Sequence, residues 1–282
     1  MNTKFSEQQK NIMRTAFLTA YPKIFTDIDY SMEIFSHVKD LAIKYGFSFQ
    51  PNQFSNMMAL EIEARHKAVN HQLNQIIDKD TLVIEIAAGL SPRCLQYQNF
   101  DYVELDLKPV IDIKKNIYNL MGHKFSENTL FSVDLSNVTK LHQCLETILK
   151  NNKHKKIVVV NEGLFWYLTK EIITSISQAF VKMFQDYDWC WITADCPCDG
   201  LQDFEHRKII SDSAKIKRDL FADYNDFKNL FANCSLTCKR YQLTQLLKYE
   251  NLFSAKFLSI SKQETINRIN SYTSVAVLKN IK

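Results

Sequence analysis

Glycine and long apolar runs are both scarce in this chain. Only 5 of its 282 residues are glycine, so a glycine at a junction between elements is informative. No apolar run reaches the roughly 20 residues that a helix needs to cross a bilayer, and the polar N-terminus is unlike a signal peptide. We therefore predict a cytoplasmic protein without a membrane partner. The composition, 46% apolar and 23% charged, is that of an ordinary globular protein.

Basic clusters and a disulfide framework are missing as well. The net charge of +4 is modest and scattered, and the run Lys153-His-Lys-Lys156 directly precedes a predicted strand. This pattern predicts no nucleic-acid partner, because phosphate binding needs a basic surface. The seven cysteines are an odd number, which favours reduced thiols. Cys196, Cys198, Cys234 and Cys238 match no standard zinc spacing, so we predict no metal site.

The most informative segment that is present runs from Thr81 to Arg93. It begins as a buried apolar strand and ends in a turn of small residues, Ala87-Ala-Gly89. Ser91 and Pro92 follow as the expected N-cap and first residue of a helix. A strand, a tight turn without bulky side chains and a helix start together let main-chain N–H groups approach a bound ligand closely.

A second predicted strand narrows the class of ligand that the first strand and its turn would bind. Asp106 ends the segment Asp101-Tyr-Val-Glu-Leu-Asp106 and lies 17 residues beyond Gly89. In nucleotide-binding βαβ units, an acidic residue at the tip of the second strand accepts hydrogen bonds from ribose hydroxyls, about 20 residues past the glycine turn. A surface acid that merely ends a strand is the alternative. The pair of features favours an adenosyl ligand.

After a helical N-terminal region, the chain alternates strands with helices. We expect strands near 81–87, 101–106, 128–134, 156–161, 188–195, 254–260 and 272–279, and helices near 91–98, 109–121, 136–150, 169–186 and 223–233. This alternation predicts an α/β fold with a doubly wound, Rossmann-like sheet of about seven strands. The last two strands should pair antiparallel, because the gap between them is too short for a crossover helix. We expect a single domain over 1–282, with a helical N-terminal cap over 1–77 and a core over 78–282 that carries a helical insertion near 199–222.

Acidic side chains end three later strands. Asp134 ends the third strand, where it could accept from an adenine amino group or cap the next helix. Glu162 follows the fourth strand, where ligands of doubly wound sheets bind, although a structural carboxylate is nearly as plausible there. Asp195 ends the fifth strand and points toward the same crevice. The aromatic run Phe165-Trp-Tyr167 could wall a sulfonium site or simply belong to the core.

Arg65 interrupts an apolar stripe on the last predicted N-terminal helix. The stripe consists of Met58, Ile62, Val69, Leu73 and Ile76. A guanidinium group on a buried face needs a partner, because isolated buried charge is costly. That partner is either Glu61, one helical turn earlier, or the carboxylate of a ligand. Spacing alone favours neither.

In this order and spacing, the motifs resemble those of the leucine carboxyl methyltransferase family, within the class I S-adenosylmethionine-dependent methyltransferases. Its bacterial members are similar to O-methyltransferases of polyketide-type small molecules. The resemblance covers most of the chain and rests on Ala87–Arg93, Tyr102–Leu107 and the EGL..YL motif at Glu162–Leu168. Arg14 and Arg65-His66 fall where the family has N-terminal arginines.

The resemblance implies S-adenosylmethionine as the cofactor and assigns residues to its amino-acid end. Arg65 would pair with the methionine carboxylate, and Glu162 would lie near the methionine amino group. Ala87 and Gly89 would line the methionine and the ribose. Ala87 departs from the family, which has a glycine there, and adds one methyl group that should tighten the turn.

At the nucleoside end, the resemblance implies three further cofactor contacts. Asp106 would hold the ribose hydroxyls, while Asp134 and Leu135 would face the adenine. Ser91-Pro92 replaces a common Asp-Thr of the family, which leaves any substrate role at these two positions open.

The predicted function is an O-methyltransferase that acts on a carboxylate or hydroxyl oxygen, with a small molecule as the acceptor. A carboxylate acceptor needs no general base, whereas a phenol or alcohol needs one, for which Asp195, His66 and Tyr167 are candidates. The N-terminal helices and 199–222 would form a lid that selects the acceptor. The alternatives are a protein C-terminal carboxyl methyltransferase, a non-catalytic adenosyl-binding protein and a dehydrogenase. The missing third glycine of G-x-G-x-x-G counts against the dehydrogenase.

Overall fold

A seven-stranded mixed sheet forms the centre of the computed structural model, which describes residues 7–44, 56–123, 126, 128–198, 221–272 and 274–281. The strands are β1 Thr81–Ile86, β2 Asp101–Asp106, β3 Leu130–Ser132, β4 Lys156–Asn161, β5 Asp188–Cys196, β6 Leu236–Gln242 and β7 Ser274–Asn280. Their order is β3-β2-β1-β4-β5-β7-β6. Strands β1 to β5 run parallel, and β7 lies antiparallel between β5 and β6. The predicted α/β fold with an antiparallel terminal pair is therefore confirmed.

Helices cover both faces of this sheet. They are α1 Glu7–Ala20, α2 Ser31–Lys44, α3 Asn56–Asn74, α4 Arg93–Gln96, α5 Lys108–Leu120, α6 Val138–Asn151, α7 Lys170–Met183, α8 Tyr224–Ala232, α9 Leu243–Leu246 and α10 Lys262–Tyr272. Helices α6, α7 and α8 pack on one face, and α3, α9 and α10 pack on the other. Helices α1, α2 and α5 form a third apolar cluster beside β3. Because β1 and β4 are covered on both faces, their sequences are apolar almost throughout.

The strand predicted over 254–260 is wrong. Ser254–Phe257 is a short 3-10 helix, and β6 supplies the sixth strand instead. Strand β6 is an edge strand that pairs only with β7, and most of its side chains are exposed or half-buried. Its sequence, Leu-Thr-Cys-Lys-Arg-Tyr-Gln, therefore lacks an apolar signature. The segment before the last strand, which we expected to be too short for a helix, contains α10. The antiparallel terminal pair is made by β6 and β7.

Other predicted boundaries need smaller corrections. Strand β3 has only three residues instead of the expected 128–134, and α4 is a single turn instead of 91–98. The insertion predicted near 199–222 falls outside the described residues except for its last two positions, so it stays a prediction, as does the single-domain organisation. In the ranges that are described, none of the helices has the length and apolar composition needed to cross a membrane.

Candidate functional site

The carboxyl ends of β1, β2 and β4 meet at one edge of the sheet. The chain order reverses between β1 and β4, and such a reversal opens a crevice outside the strand ends. The turn Ala87-Ala-Gly89 follows β1, Asp106 ends β2, and Glu162 follows β4. The structure thus brings together the residues that the sequence motifs predict for a ligand site.

The turn after β1 has an unusual backbone conformation. Ala87 has a φ of +50° and Gly89 a φ of +51°, both in the left-handed region. This conformation is ordinary for glycine but costs an alanine roughly 1–2 kcal/mol. Apart from its two chain neighbours, no heavy atom of the described residues lies within 4 Å of the position that a Cβ on Gly89 would take. The glycine therefore presents open space from which a ligand can approach the main chain.

Asp106 is hydrogen-bonded to the main chain of this turn. Its Oδ2 accepts a hydrogen bond of 2.7 Å from the N–H of Gly89, and its Oδ1 accepts one of 2.6 Å from the N–H of Leu107. Burial raises the pKa of Asp106 to about 6, although the two N–H donors favour the charged form. The carboxylate is thereby held in a fixed orientation, with lone pairs left on both oxygens to accept from hydroxyl groups.

Glu162 is the second anchored carboxylate of the site. Its Oε2 lies 3.3 Å from Nε of Arg65, and its Oε1 accepts a hydrogen bond from Nη2 of Arg93. The side chain retains 12% exposure. Burial alone would raise the pKa of Glu162, but the positive charges of Arg93 and Arg65 bring it well below its usual range. The group is therefore a carboxylate at neutral pH.

The partner of Arg65 is one that local spacing did not suggest. Glu162 lies 97 residues further along the chain, whereas the expected candidates were Glu61 or a ligand. The Arg65 side chain also keeps 12% exposure, so it is not fully enclosed by the protein.

Arg93 forms the interior part of the same cluster. The motif contained this arginine, but its sequence position did not reveal its role. The side chain is fully buried, and its nitrogens donate to Asn70, Glu85 and Glu162. An arginine directly after a small-residue turn was the only available signal.

No motif in the sequence points to Lys23, whose charge interacts with the charged residues of the site. This lysine lies on the 3-10 helix Pro22–Phe25, which packs against α3. Burial lowers the pKa of Lys23 to about 8, and its ammonium group interacts electrostatically with Glu162, Arg93 and Arg65. The side chain is half-buried. The charge of Lys23 therefore contributes, with that of Arg65, to the electrostatic environment of Glu162.

Asp195 is a structural carboxylate. Its Oδ1 accepts from the N–H of Gly163 over 2.6 Å, and its Oδ2 accepts from Leu164 and Phe165 over 2.7 and 3.0 Å. The side-chain amide of Asn161 donates to Oδ2 as well, over 2.7 Å. These four donors fix the loop that carries Glu162. With one donor on Oδ1 and three on Oδ2, the carboxylate is held in place by this loop, which makes Asp195 poorly suited as a base.

The other two candidate bases are poorly suited to that role. His66 is buried with 1% exposure, and burial together with the charge of Arg93 lowers its pKa, so the ring is neutral. Burial raises the pKa of the Tyr167 phenol, which forms a hydrogen bond with Thr15 of α1. Tyr167 is therefore a neutral group near the crevice.

The residues expected at the adenine lie just beyond β3. Asp134 is exposed, and its Oδ1 accepts from the N–H of Ser136 over 2.9 Å and from the hydroxyl of Ser136 over 2.6 Å. Asn137, and not Asp134, caps α6, with its side chain accepting from Lys140 over 3.1 Å. Leu135 is buried. The preceding Val133 donates its N–H to the carbonyl of Asp106, which places this turn beside the tip of β2.

Arg14 and the cysteines are the remaining residues that the sequence analysis named. Arg14 is half-buried on α1 and contacts Asn11 over 3.4 Å. All seven cysteines are free thiols. Across the described ranges, no group of three or more His, Cys, Asp or Glu side chains is arranged to hold a metal ion.

Comparison with known protein families identifies the chain. The model of the family described as leucine carboxyl methyltransferase matches residues 30–181, which is more than half of the sequence. The chain belongs to the leucine carboxyl methyltransferase family. The match confirms the resemblance that the motifs indicated, together with the methyltransferase class. It spans the glycine turn, Asp106, Asp134, Leu135 and the EGL..YL segment. No curated protein matches the sequence.

Several solved structures are similar to this family member at low identity. Magnesium protoporphyrin IX methyltransferase from Synechocystis PCC 6803 with bound SAM is 9% identical, with a TM-score of 0.45; the match covers 99% of this chain and 100% of that one. Mitomycin 7-O-methyltransferase MmcR is 10% identical, with a TM-score of 0.44 and coverage of 79% and 56%. The LepI complex with SAM is 10% identical, with a TM-score of 0.43 and coverage of 75% and 46%. The chain thus spans less than half of the LepI chain, and similarity at this level carries no information about a substrate.

Proposed function

We propose that this protein is an S-adenosylmethionine-dependent O-methyltransferase whose acceptor is a carboxylate oxygen of a small molecule. The observation that carries the proposal is the pairing of two anchored carboxylates, Asp106 and Glu162, at the ends of β2 and β4. They stand on either side of the open turn at Gly89. Family membership supports the methyltransferase chemistry.

The amino-acid end of S-adenosylmethionine fits the charges around Glu162. This end carries one ammonium and one carboxylate group. Glu162 is ionised and partly exposed, so it can accept from the ammonium group. Arg65 pairs with Glu162 and Lys23 interacts with it electrostatically, and these two cations would hold the carboxylate. The charges of these side chains are therefore opposite to those of the two groups at the amino-acid end of the ligand.

The nucleoside end fits the opposite side of the crevice. Asp106 would accept from the two ribose hydroxyls, and Ala87 and Gly89 would line the ribose and methionine. Asp134 and Leu135 would face the adenine, because their turn lies beside the tip of β2. When bound, the cofactor supplies an electrophilic methyl group on a sulfonium. The chain's own task is to orient the acceptor oxygen and to exclude water.

The state of the candidate bases favours a carboxylate acceptor over a phenol or an alcohol. Four N–H donors, three of them on one oxygen, hold Asp195 in its loop, and His66 is buried within the Arg93 cluster. Tyr167 is protonated at neutral pH. An acceptor that is already anionic needs none of them, and a neutral phenol such as Tyr167 is suited to donate a hydrogen bond to such an anion.

Cofactor binding is the first test. We expect isothermal titration to detect binding of S-adenosylmethionine and of S-adenosylhomocysteine, its demethylated product. NAD serves as the control ligand for the dehydrogenase alternative. Binding of NAD in place of both adenosyl ligands would refute the proposal.

The acceptor class is tested with a tritiated methyl donor and a panel of small carboxylic acids, phenols and alcohols. Carboxyl methyl esters release volatile tritiated methanol in mild alkali, whereas methyl ethers do not. We expect alkali-labile label from the carboxylic acids only. Peptides with a free C-terminal carboxylate form a separate arm, and labelling of these alone would favour the protein carboxyl methyltransferase. Binding of the donor without label in any arm would favour the non-catalytic alternative.

A further inference from the structure

Arg93 is fully buried at the site, and each of its three side-chain nitrogens contacts a protein side chain. We propose that Arg93 is a positioning residue, which fixes the carboxylate of Glu162 for the amino group of the cofactor, and that Glu85 is its counter-charge. This inference rests on the proposed function and deepens it. It assigns different roles to the two arginines. Arg65, which is partly exposed, would contact the ligand, and Arg93 would position Glu162 from inside the protein.

The hydrogen bonds of Arg93 are all directed to protein atoms. Its Nε donates to Oδ1 of Asn70 over 2.7 Å, and its Nη1 donates to Oε1 of Glu85. Its Nη2 donates to Oε1 of Glu162 and lies 3.0 Å from Nδ1 of His66. A guanidinium group has five N–H donors in a rigid plane, so partners on every nitrogen define its position fully. Arg93 is fully buried and therefore acts on a ligand only through Glu162.

Glu85 keeps the guanidinium group in this interior position. Its Oε1 accepts from Arg93, and its Oε2 accepts from the hydroxyl of Tyr102 over 2.8 Å. Glu85 also stands opposite Glu104 in the register of β1 and β2, and both residues are buried. Lys114 pairs with Glu104 over 2.6 Å, which leaves Arg93 as the cation of Glu85. Two buried like charges on adjacent strands are tolerable only with such partners.

His66 restrains Arg93 from the side of α3. Because Nη2 of Arg93 donates to Nδ1 of His66, the hydrogen-bond network assigns the ring proton to Nε2. Nε2 then donates to Oε1 of Gln96 over 3.0 Å, and the amide of Asn70 donates to the same Gln96 oxygen over 3.1 Å. The guanidinium group is therefore clamped between β1 and α3, and its position sets that of Glu162.

The test compares two ligands that differ only at the amino-acid end. S-adenosylhomocysteine has the methionine-derived tail, whereas 5′-methylthioadenosine has the same adenine, ribose and sulfur without it. Arg93→Lys keeps the charge but cannot reach Asn70, Glu85 and Glu162 together. We expect it to weaken S-adenosylhomocysteine binding at least about tenfold and to change 5′-methylthioadenosine binding less than twofold. Arg268→Lys, at an exposed ion pair with Glu264, is the matched control.

A purely structural role for Arg93 would weaken both ligands in parallel, and that result, or unchanged binding of both, would overturn the inference. Binding of S-adenosylhomocysteine by the wild type tests the proposed function separately. If the wild type binds neither ligand, the proposed function falls and this inference falls with it.

Tyr102→Phe provides a milder variant in case Arg93→Lys does not fold. It removes only the hydroxyl that donates to Glu85, at the far end of the cluster. We expect a loss of about threefold for S-adenosylhomocysteine alone. Glu85→Gln should give a larger loss with the same selectivity, and Glu264→Gln is its control. Equal effects on both ligands in these variants would also refute the positioning role.

Discussion

The N–H of Gly89 donates a hydrogen bond of 2.7 Å to the carboxylate of Asp106, so the turn after β1 and the tip of β2 form one unit. This contact explains why a buried, partly desolvated carboxylate has a fixed orientation. It also means that a ligand at the turn lies at once beside an acceptor for its hydroxyl groups. The two strongest motifs of the sequence are therefore two halves of one structural feature.

Asp106→Ala should abolish most of the affinity for S-adenosylhomocysteine. Two hydrogen bonds from ribose hydroxyls to a charged group are worth roughly 3 kcal/mol together, which corresponds to about 100-fold in the dissociation constant. Isothermal titration at pH 7.5 measures this loss. Asp112→Ala, an exposed residue paired with Lys108 on α5, should bind like the wild type. Undiminished affinity in Asp106→Ala would remove the basis of the proposed site.

Cofactor affinity should depend on pH at both ends of the neutral range. Below about pH 6, Asp106 becomes protonated in the free protein and is a weaker acceptor for ribose hydroxyls. Above about pH 8, Lys23 loses its charge and no longer attracts the ligand carboxylate. The dissociation constant for S-adenosylhomocysteine should therefore be lowest between these values.

The Lys23→Met variant tests whether Lys23 causes the loss of cofactor affinity at alkaline pH. We expect a loss of roughly three- to tenfold at pH 7, because one charge-assisted contact is removed. Between pH 7 and 8.5, affinity should fall less steeply in the variant than in the wild type, while the acid limb stays. Identical alkaline slopes in both proteins would exclude Lys23 from the site.

Asp195→Asn should destabilise the protein. An asparagine carries an NH₂ group in place of one carboxylate oxygen, so it would turn a donor either toward the N–H of Gly163 or toward those of Leu164 and Phe165. An unsatisfied buried group costs about 1–3 kcal/mol. Urea denaturation should show a loss of this size. Asp188→Asn, at the exposed start of β5, is the control and should lie within about 0.5 kcal/mol of the wild type.

Ala87→Gly should stabilise the protein. Ala87 has a φ of +50°, which costs an alanine roughly 1–2 kcal/mol, and the entropic cost of glycine offsets part of the gain. We expect an increase of about 0.5–1 kcal/mol in the free energy of unfolding, measured in urea, with cofactor affinity retained. A decrease in stability would show that the methyl group of Ala87 makes packing contacts that outweigh the backbone strain.

The meeting of the site residues at one edge of the sheet could be predicted, because the carboxyl ends of parallel strands follow a geometric rule. In a parallel sheet these ends lie at one edge, so Gly89, Asp106 and Glu162 had to come together once their strands were recognised. Edge strand β6 escaped prediction because it is partly exposed and pairs with β7 alone. The family resemblance added the assignment of roles, which spacing does not provide.

Local sequence by itself determined most of the alternation of strands and helices, the tight turn of small residues and the acidic tip of β2, because each depends on neighbours within a few residues. Only the tertiary structure decided the partners of the buried charges. Arg65 meets Glu162, and Arg93 lies between Glu85 and Glu162, in contacts that join α3, β1 and the loop after β4. A buried charge takes whichever opposite charge the packing brings within reach, and that choice spans 97 residues between Arg65 and Glu162.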